Sequence, residues 1–399
     1  MWRAFCDIPF TGFFAGIEQL KFYGFRQKDC RNDIRNNGDE KLNNLKTLGW
    51  NSFFENQFVE YKKSGLVPGR IVVENKNNYL VLTDHREIIA EISGKLMFTA
   101  ESNSELPKVG DWVALSVFDK ESNGVIHNVL ERETKVSRRA AGKTSDEQVI
   151  ITNVDFIFIV QSLDNNFNIN RLERYLVTVF QSGAEPIVIL SKADLCNDVD
   201  SKINEIRKSY PDIKIMAISS FENTGINELM NIIESGKTYA FLGSSGVGKS
   251  TIINKLVGAD IQKTTEVRTS DNKGKHTTTK RELIILPGKG MLIDTPGMRG
   301  LKLWSADEGM TNTFTEFGEF EEKCKYSDCT HTHETGCAVI DAVNNNLIPS
   351  NRYENYLKMR KELRYLESRI DQKVYLEEKR KAKELSRFIK NNFKGKKRN

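Results

Sequence analysis

The chain has 399 residues, 39% of them apolar, a formal net charge of +5 and six cysteines. That length exceeds one hydrophobic core and favours two or three domains, while six cysteines spread over it make no disulfide scaffold. No apolar run reaches bilayer length, and Ile8 to Ile17 is short, broken by Pro9 and without a clear cleavage site, so a cytoplasmic protein with no membrane partner is expected.

Residues 1–44 have scattered aromatics and Asn-rich stretches with no sustained period, and support no fold assignment. Between Gly65 and Lys135 come five short β-type runs: Arg70 to Glu74, Tyr79 to Thr83, Ile88 to Ile92, Asp111 to Val117 and Gly124 to Val129. Turn-rich segments separate them and no helical period interrupts them, which predicts a small β-barrel of OB type over 45–140. After Val149 buried apolar runs alternate with helical periods. Phe156 to Val160, Ile187 to Leu190, Ile213 to Ala217, Tyr239 to Leu242, Leu283 to Leu286 and Met291 to Ile293 read as strands. Ile169, Leu172, Tyr175, Leu176, Val179 and Phe180 recur at helical spacing between the first two. This predicts an α/β domain over 141–303, with a mostly parallel sheet covered by helices on both faces. Residues 304–399 begin with a cysteine and histidine cluster and end in a helix from Asn351 onward. Lys373 to Asn399 alone holds eleven Lys/Arg against three Asp/Glu, so a basic tail follows a mildly acidic body and suggests a polyanionic partner.

Gly243-Ser244-Ser245-Gly246-Val247-Gly248-Lys249-Ser250-Thr251 follows a strand and opens a helix, the context that a phosphate-binding P-loop needs. Its backbone amides point at phosphate oxygens, Lys249 neutralises the β- and γ-phosphates, and Ser250 offers magnesium a hydroxyl. Ser191-Lys192-Ala193-Asp194 ends another strand, where open α/β sheets bind ligands. An ionised Asp194 accepts two hydrogen bonds from guanine, whereas adenine would set an acceptor against it. Ser219 and Ser220 stand where a backbone amide can meet the guanine carbonyl. Asp294-Thr-Pro-Gly297 supplies a carboxylate near magnesium and an amide for the γ-phosphate, and Thr277 and Thr278 lie between as candidates to cap the ion. GTP, GDP and magnesium are the expected ligands. The guanine-reading segments precede the P-loop, which is a circularly permuted order.

Cys324, Cys329, His331 and Cys337 provide three thiolates and an imidazole, a closed tetrahedral set suited to one structural zinc, with His333 the competing ligand. Met298 follows Gly297 at the place where Ras-like enzymes carry a water-orienting glutamine, and a thioether cannot orient water. His276 is the nearest candidate to help; the alternative is a solvent-exposed histidine of a switch loop.

The permuted order, Gly274-Lys-His-Thr-Thr-Thr279, the preceding barrel and the Cys324 to Cys337 pattern together resemble the ribosome small subunit-dependent GTPase A family (RsgA/YjeQ). Leu48-Gly49-Trp50, Val109-Gly-Asp-Trp-Val113 and Ser137-Arg-Arg-Ala-Ala-Gly142 match its pattern too, and the resemblance runs from about Leu45 to the C-terminal helix. The chain departs from it at Thr335, where proline is expected, and Ser191 replaces the Asn or Thr usual in GTPases. The resemblance implies a GTP hydrolase that docks on the small ribosomal subunit and its rRNA late in assembly and leaves after hydrolysis, with His276 as a catalytic residue; Lys249 and Thr278 are expected to be catalytic as well, and the protein is expected to be monomeric. A GTP-gated RNA-binding module, in which hydrolysis is incidental, is the rival reading, and a permuted GTPase of the large subunit is a second.

Overall fold

Alternation decides the early strands: in Glu87–Ile92 the side chains of Ile88 and Ala90 are buried while Ile89 and Glu91 face out, the period of a sheet with one wet face. The structure, a computed structural model, describes residues 44–118, 122–140, 146–258, 281–294, 303–304 and 306–394. They divide into two units. The first holds the described residues up to Lys135, Ile150–Phe167 and those of 184–294; the second holds Val136–Val149, Asn168–Gly183 and those from 303 onward.

In the first unit, helix α1 (Ser52–Lys63) starts at Asn51, whose side chain accepts from the amides of Phe53 and Phe54, satisfying two donors that a helix start leaves orphaned. Strands β1 (Val67–Glu74), β2 (Tyr79–Leu82), β3 (Glu87–Ile92), β4 (Trp112–Val117) and β5 (Asn123–Val129) follow, with the short helix α2 (Gly94–Thr99) after β3. They pair in the order β1, β2, β3, β5, β4, and β4 returns to β1 to close an OB-like barrel. The β3 and β5 pairing is parallel and the others are antiparallel. Ile71, Val81, Ile88, Val113, Leu115 and Ile126 fill the interior. The barrel expected from sequence is thus present. Its strand β1 begins three residues earlier than read, and α2 was not anticipated because its six residues are too few to display a helical period.

Strands β6 (Lys135–Arg139) and β7 (Glu147–Thr152) form a separate two-stranded sheet. The larger sheet of the first unit is built from β8 (Phe156–Ser162), β9 (Glu185–Ser191), β10 (Lys214–Ile218), β11 (Thr238–Leu242), β12 (Glu282–Ile285) and β13 (Met291–Asp294). The order is β10, β9, β8, β11, β13, β12, all parallel except β12, and β12 touches β1 where Glu282 pairs with Val73. From β8 the chain steps outward to β9 and β10, then returns to β11 and leaves the other way. The reversal between β8 and β11 is the switch point at which open α/β sheets bind ligands. Helices α4 (Val199–Ser209), α5 (Ile226–Ile232) and α6 (Lys249–Val257) belong to this unit, while α3 (Ile169–Ser182), which links β8 to β9, belongs to the second.

Arg70 in β1 is 1% exposed, and its guanidinium donates to the carbonyls of Leu48 and Asn153 and to Thr238 Oγ1 at the root of β11. Burial lowers its pKa to about 10, still far above neutrality, so a charged, bonded fork fixes the barrel to the base of the P-loop strand.

The second unit contains α3, α7 (Asp307–Thr313), α8 (Thr315–Glu321), α9 (Ala338–Asn344) and the 45-residue α10 (Ser350–Lys394). Phe314, Phe317, Val339, Tyr356 and Met359 form its core, and the Tyr356 ring stacks on Phe317 at 4.1 Å. Arg352, 4% exposed, donates to Glu173 of α3 at 2.7 Å, to the Thr313 carbonyl at 2.8 Å and to Glu316 of α8. Burial raises the pKa of Glu173, opposed by Arg352 and Asn355; each ion is tolerable inside only with the other present.

Candidate functional site: a nucleotide cleft and a thiolate cluster

The carboxyl ends of β11, β8, β9, β10 and β13 bring the candidate residues to one edge of the sheet. Leu242 leads into Gly243, where a Cβ would stand 2.4 Å from the Val160 carbonyl of β8, so only glycine lets the loop pass. Ser245 and Gly246 are exposed, Ser244, Gly248, Ser250 and Thr251 half-buried, and Val247 buried. Lys249 at the start of α6 is buried, and Nζ donates to the carbonyls of Gly243 and Ser244 at 2.7 and 2.8 Å. Burial brings its pKa down to about 8, against the pull of the Asp294 carboxylate. Asp294, at the end of β13, is buried too, and burial raises its carboxyl while Lys249 lowers it. A cation and an anion, both desolvated, thus face the cleft.

Ser191 Oγ donates to the Val247 carbonyl at 2.5 Å and lies 3.3 Å from that of Gln161. A serine here therefore bonds the P-loop to the neighbouring strand. Lys192 has a left-handed backbone, φ 57°, and Ala193 and Asp194 follow in a short 3-10 turn. The Lys192 ammonium sits 2.8 Å from Asp164 Oδ2. Burial works against the Asp164 charge, but the bonds from Lys192, Ser162 and the Asn166 amide outweigh it and bring the carboxyl down to about 2. Asp194 Oδ1 accepts from Ser219 Oγ at 2.5 Å, and Ser219 Oγ accepts from the Glu222 amide at 3.1 Å. The Ser219 amide is engaged with the Thr224 carbonyl at 3.1 Å, so its contribution here is to orient Asp194; Ser220 follows, half-buried. Neither Asp164 nor the side-chain role of Ser219 was read from the sequence. The only signal was two polar residues, Ser162 at the end of a buried strand and Asp164 just beyond it. His276, Thr277, Thr278, Gly297 and Met298 lie outside the described residues.

In the second unit Cys324, Cys329, His331 and Cys337 converge, with one donor atom from each, all within 4.8 Å of one another. His331 Nδ1 lies 3.6 Å from Cys324 Sγ and 3.4 Å from Cys337 Sγ, and the two sulfurs are 3.9 Å apart. Tetrahedral zinc with its usual bond lengths demands S to S near ~3.8 Å and S to N near ~3.6 Å, so the set fits. Burial pushes the Cys337 thiol up to about 12, and a cation is what would hold it as thiolate. The imidazole's other nitrogen, Nε2, is 3.3 Å from Glu321 Oε1, and Tyr353 donates to the His331 carbonyl at 2.6 Å. An outer carboxylate of this kind fixes the ring and its tautomer. His333 is exposed and bonds Thr332 instead.

No helix among the described residues is long and apolar enough to cross a membrane.

A family model described as "RsgA GTPase" matches residues 129–304, and one described as "50S ribosome-binding GTPase" matches 238–372. A relative from Opitutus terrae named "Small ribosomal subunit biogenesis GTPase RsgA" is 39% identical over 82% of this chain and 92% of its own. One from Lactiplantibacillus plantarum, "Small ribosomal subunit biogenesis GTPase RsgA 2", is 42% identical over 76% and 85%. Among solved structures, YjeQ from Thermotoga maritima is 28% identical, covers 75% of this chain and 98% of its own, and superposes with a TM-score of 0.57. YloQ, described as a circularly permuted GTPase, is 24% identical over 77% and 96%, with a TM-score of 0.54, and shares the fold.

Proposed function

This chain belongs to the RsgA GTPase family, and we propose that it hydrolyses GTP as a release switch on the small ribosomal subunit, docking on its rRNA during late assembly in the cytoplasm. The observation that carries the reading is the convergence of the P-loop, Lys192, Asp194 and Ser219 at the carboxyl ends of adjacent parallel strands, in permuted order. Asp194 reads guanine, with the Lys192 stem along the base plane and Ser220 near its carbonyl. Residues Gly243 to Thr251 hold the phosphates, and Lys249 exchanges its two carbonyl partners for β- and γ-phosphate oxygens. Ser250, Asp294 and Thr278 would hold magnesium, which would supply positive charge against the negative charge that develops on the phosphates. Thr277 and Gly297 complete the γ-phosphate end, and His276 orients the attacking water. The four-residue thiolate and imidazole set holds one zinc, which braces a module over 304–399; the barrel of 45–140 and the GTPase domain of 141–303 are the other two modules.

OB-type barrels are recurrent RNA-contact modules, and the basic tail adds phosphate affinity. One matching family model bears a large-subunit description, but the relatives covering most of this chain bear small-subunit names. Sedimentation of tagged, monomeric protein with separated subunits and a non-hydrolysable GTP analogue tests the choice. Co-migration with small subunits only in the GTP state is expected; co-migration with large subunits, or binding to both regardless of nucleotide, would overturn it.

A further inference from the structure

Among the described residues of 146–294, the exposed large apolar side chains are Leu195 and Phe221, at 62% and 88%. The other large apolar side chains described in that span are at least partly buried. Both exceptions lie in the two loops that carry the base-reading residues: Leu195 directly follows Asp194, and Phe221 stands two residues after Ser219, which holds the Asp194 carboxylate. We propose that Phe221 is a platform on which the nucleotide base stacks, a role that rests on the guanine-reading assignment of Asp194 and adds to it a residue that binds without reading identity.

The loop is built to hold such a ring in place. Ser219 and Thr224 pair across it as an isolated antiparallel bridge, and the Glu222 amide bonds Ser219 Oγ at 3.1 Å from inside. Asn223 takes a left-handed turn at φ 60°. Gly225 closes the loop at φ 75°, where a Cβ would stand 2.6 Å from the Ala217 carbonyl of β10. The chain between Ser219 and Gly225 is therefore a tight turn with Phe221 near its tip. Leaving a phenyl ring in water costs the free energy that its burial would recover. A purine is a flat partner of matching size, and the loop that carries Phe221 also carries Ser219, which holds the Asp194 carboxylate. Stacking accepts any base because each has a π-face, so the platform raises affinity for the nucleotide while Asp194 decides which base is kept.

The test uses the full chain and three variants. Phe221→Ala should weaken GDP and GTP together by roughly tenfold, the scale of one base stacked on an aromatic ring. The loss should fall on KM rather than on kcat and be the same for XTP as for GTP, so that base preference is unchanged; Asp194→Asn should do the reverse and alter preference. Phe221→Trp should retain affinity and report stacking directly through indole quenching on GDP addition, after subtraction of the parent's four tryptophans. If Phe221→Ala binds GDP as tightly as the parent, or the introduced indole is unmoved by saturating GDP, the platform is refuted while guanine reading stands. A parent chain that binds no guanine nucleotide would refute both.

Discussion

On the proposed assignment Asp194 reads the base through charge, and the geometry around it sets how a substitution should behave. In Asp194→Asn the remaining carbonyl oxygen still accepts from Ser219 Oγ, so the loop persists, but an amide donor now faces guanine's own donors. Losing charge-assisted bonds costs about 2 to 3 kcal/mol, a GTP affinity reduced roughly 30- to 150-fold, with XTP gaining in relative terms. Competition binding of GTP and XTP measures both, and unchanged affinities would remove Asp194 from the base site. Lys249 carries a second prediction at this scale. In the free chain its pKa is lowered to about 8 by burial, and phosphate oxygens must raise it in the complex. Below 8 the ammonium is already present, whereas above it GTP binding has to take up a proton. Affinity should therefore be flat at neutral pH and fall, approaching tenfold per unit, between pH 8 and about 9. Isothermal titration in two buffers of different ionisation heat would register the proton, and Lys249→Arg, which does not titrate, should abolish the slope.

Elements with long apolar runs were legible in the sequence, and those whose identity depends on partners were not. The strands from Phe156, Ile187 and Met291 are almost wholly buried, so hydrophobic runs bounded by turns located them. Helix α1 went unread because only Phe54 and Phe58 of its twelve residues are buried; β6 is a mostly half-buried strand of mixed composition, and β7 opens on two polar residues before its short buried run. The grouping of α3 with the second unit was invisible, since Glu173 reads as an ordinary surface acid until Arg352, 179 positions later, buries it. Pairings over that separation leave no local pattern. The cysteine cluster is the opposite case: four candidate ligands within 14 residues announced themselves by spacing alone, and the core of the second unit includes Cys329 and Cys337. Zinc binding of this type is worth on the order of 10 kcal/mol. Cys329→Ser should then abolish stoichiometric zinc and loosen α8, α9 and the start of α10, read as faster amide exchange there. GTP binding should survive, because every nucleotide-contacting candidate among the described residues lies in the first unit. Metal analysis of the reduced parent protein showing less than one zinc per chain would contradict the assignment.

At the scale of the molecule, hydrolysis has to be slow in isolation and fast on the partner if the protein is to act as a switch. Met298 offers no hydrogen bond to water, and the roles proposed for Lys249 and Asp294, phosphate and magnesium binding, do not activate a nucleophile. The free protein should therefore turn over GTP at the pace of switch GTPases without their activators, and small subunits should accelerate it. His276, in the segment between P-loop and Asp294, is the nearest candidate in the sequence to supply what Met298 lacks. A residue acting on the attacking water contributes in the transition state alone, so His276→Ala should leave GTP affinity near that of the parent and reduce subunit-stimulated turnover by roughly a hundredfold. Lys249→Ala should instead impair affinity and turnover together, because its contacts exist in the bound ground state as well. Single-turnover assays with and without small subunits separate the two patterns. Full stimulation of His276→Ala would transfer the water-orienting role to the ribosomal partner, making the chain an incomplete enzyme that is completed only on docking.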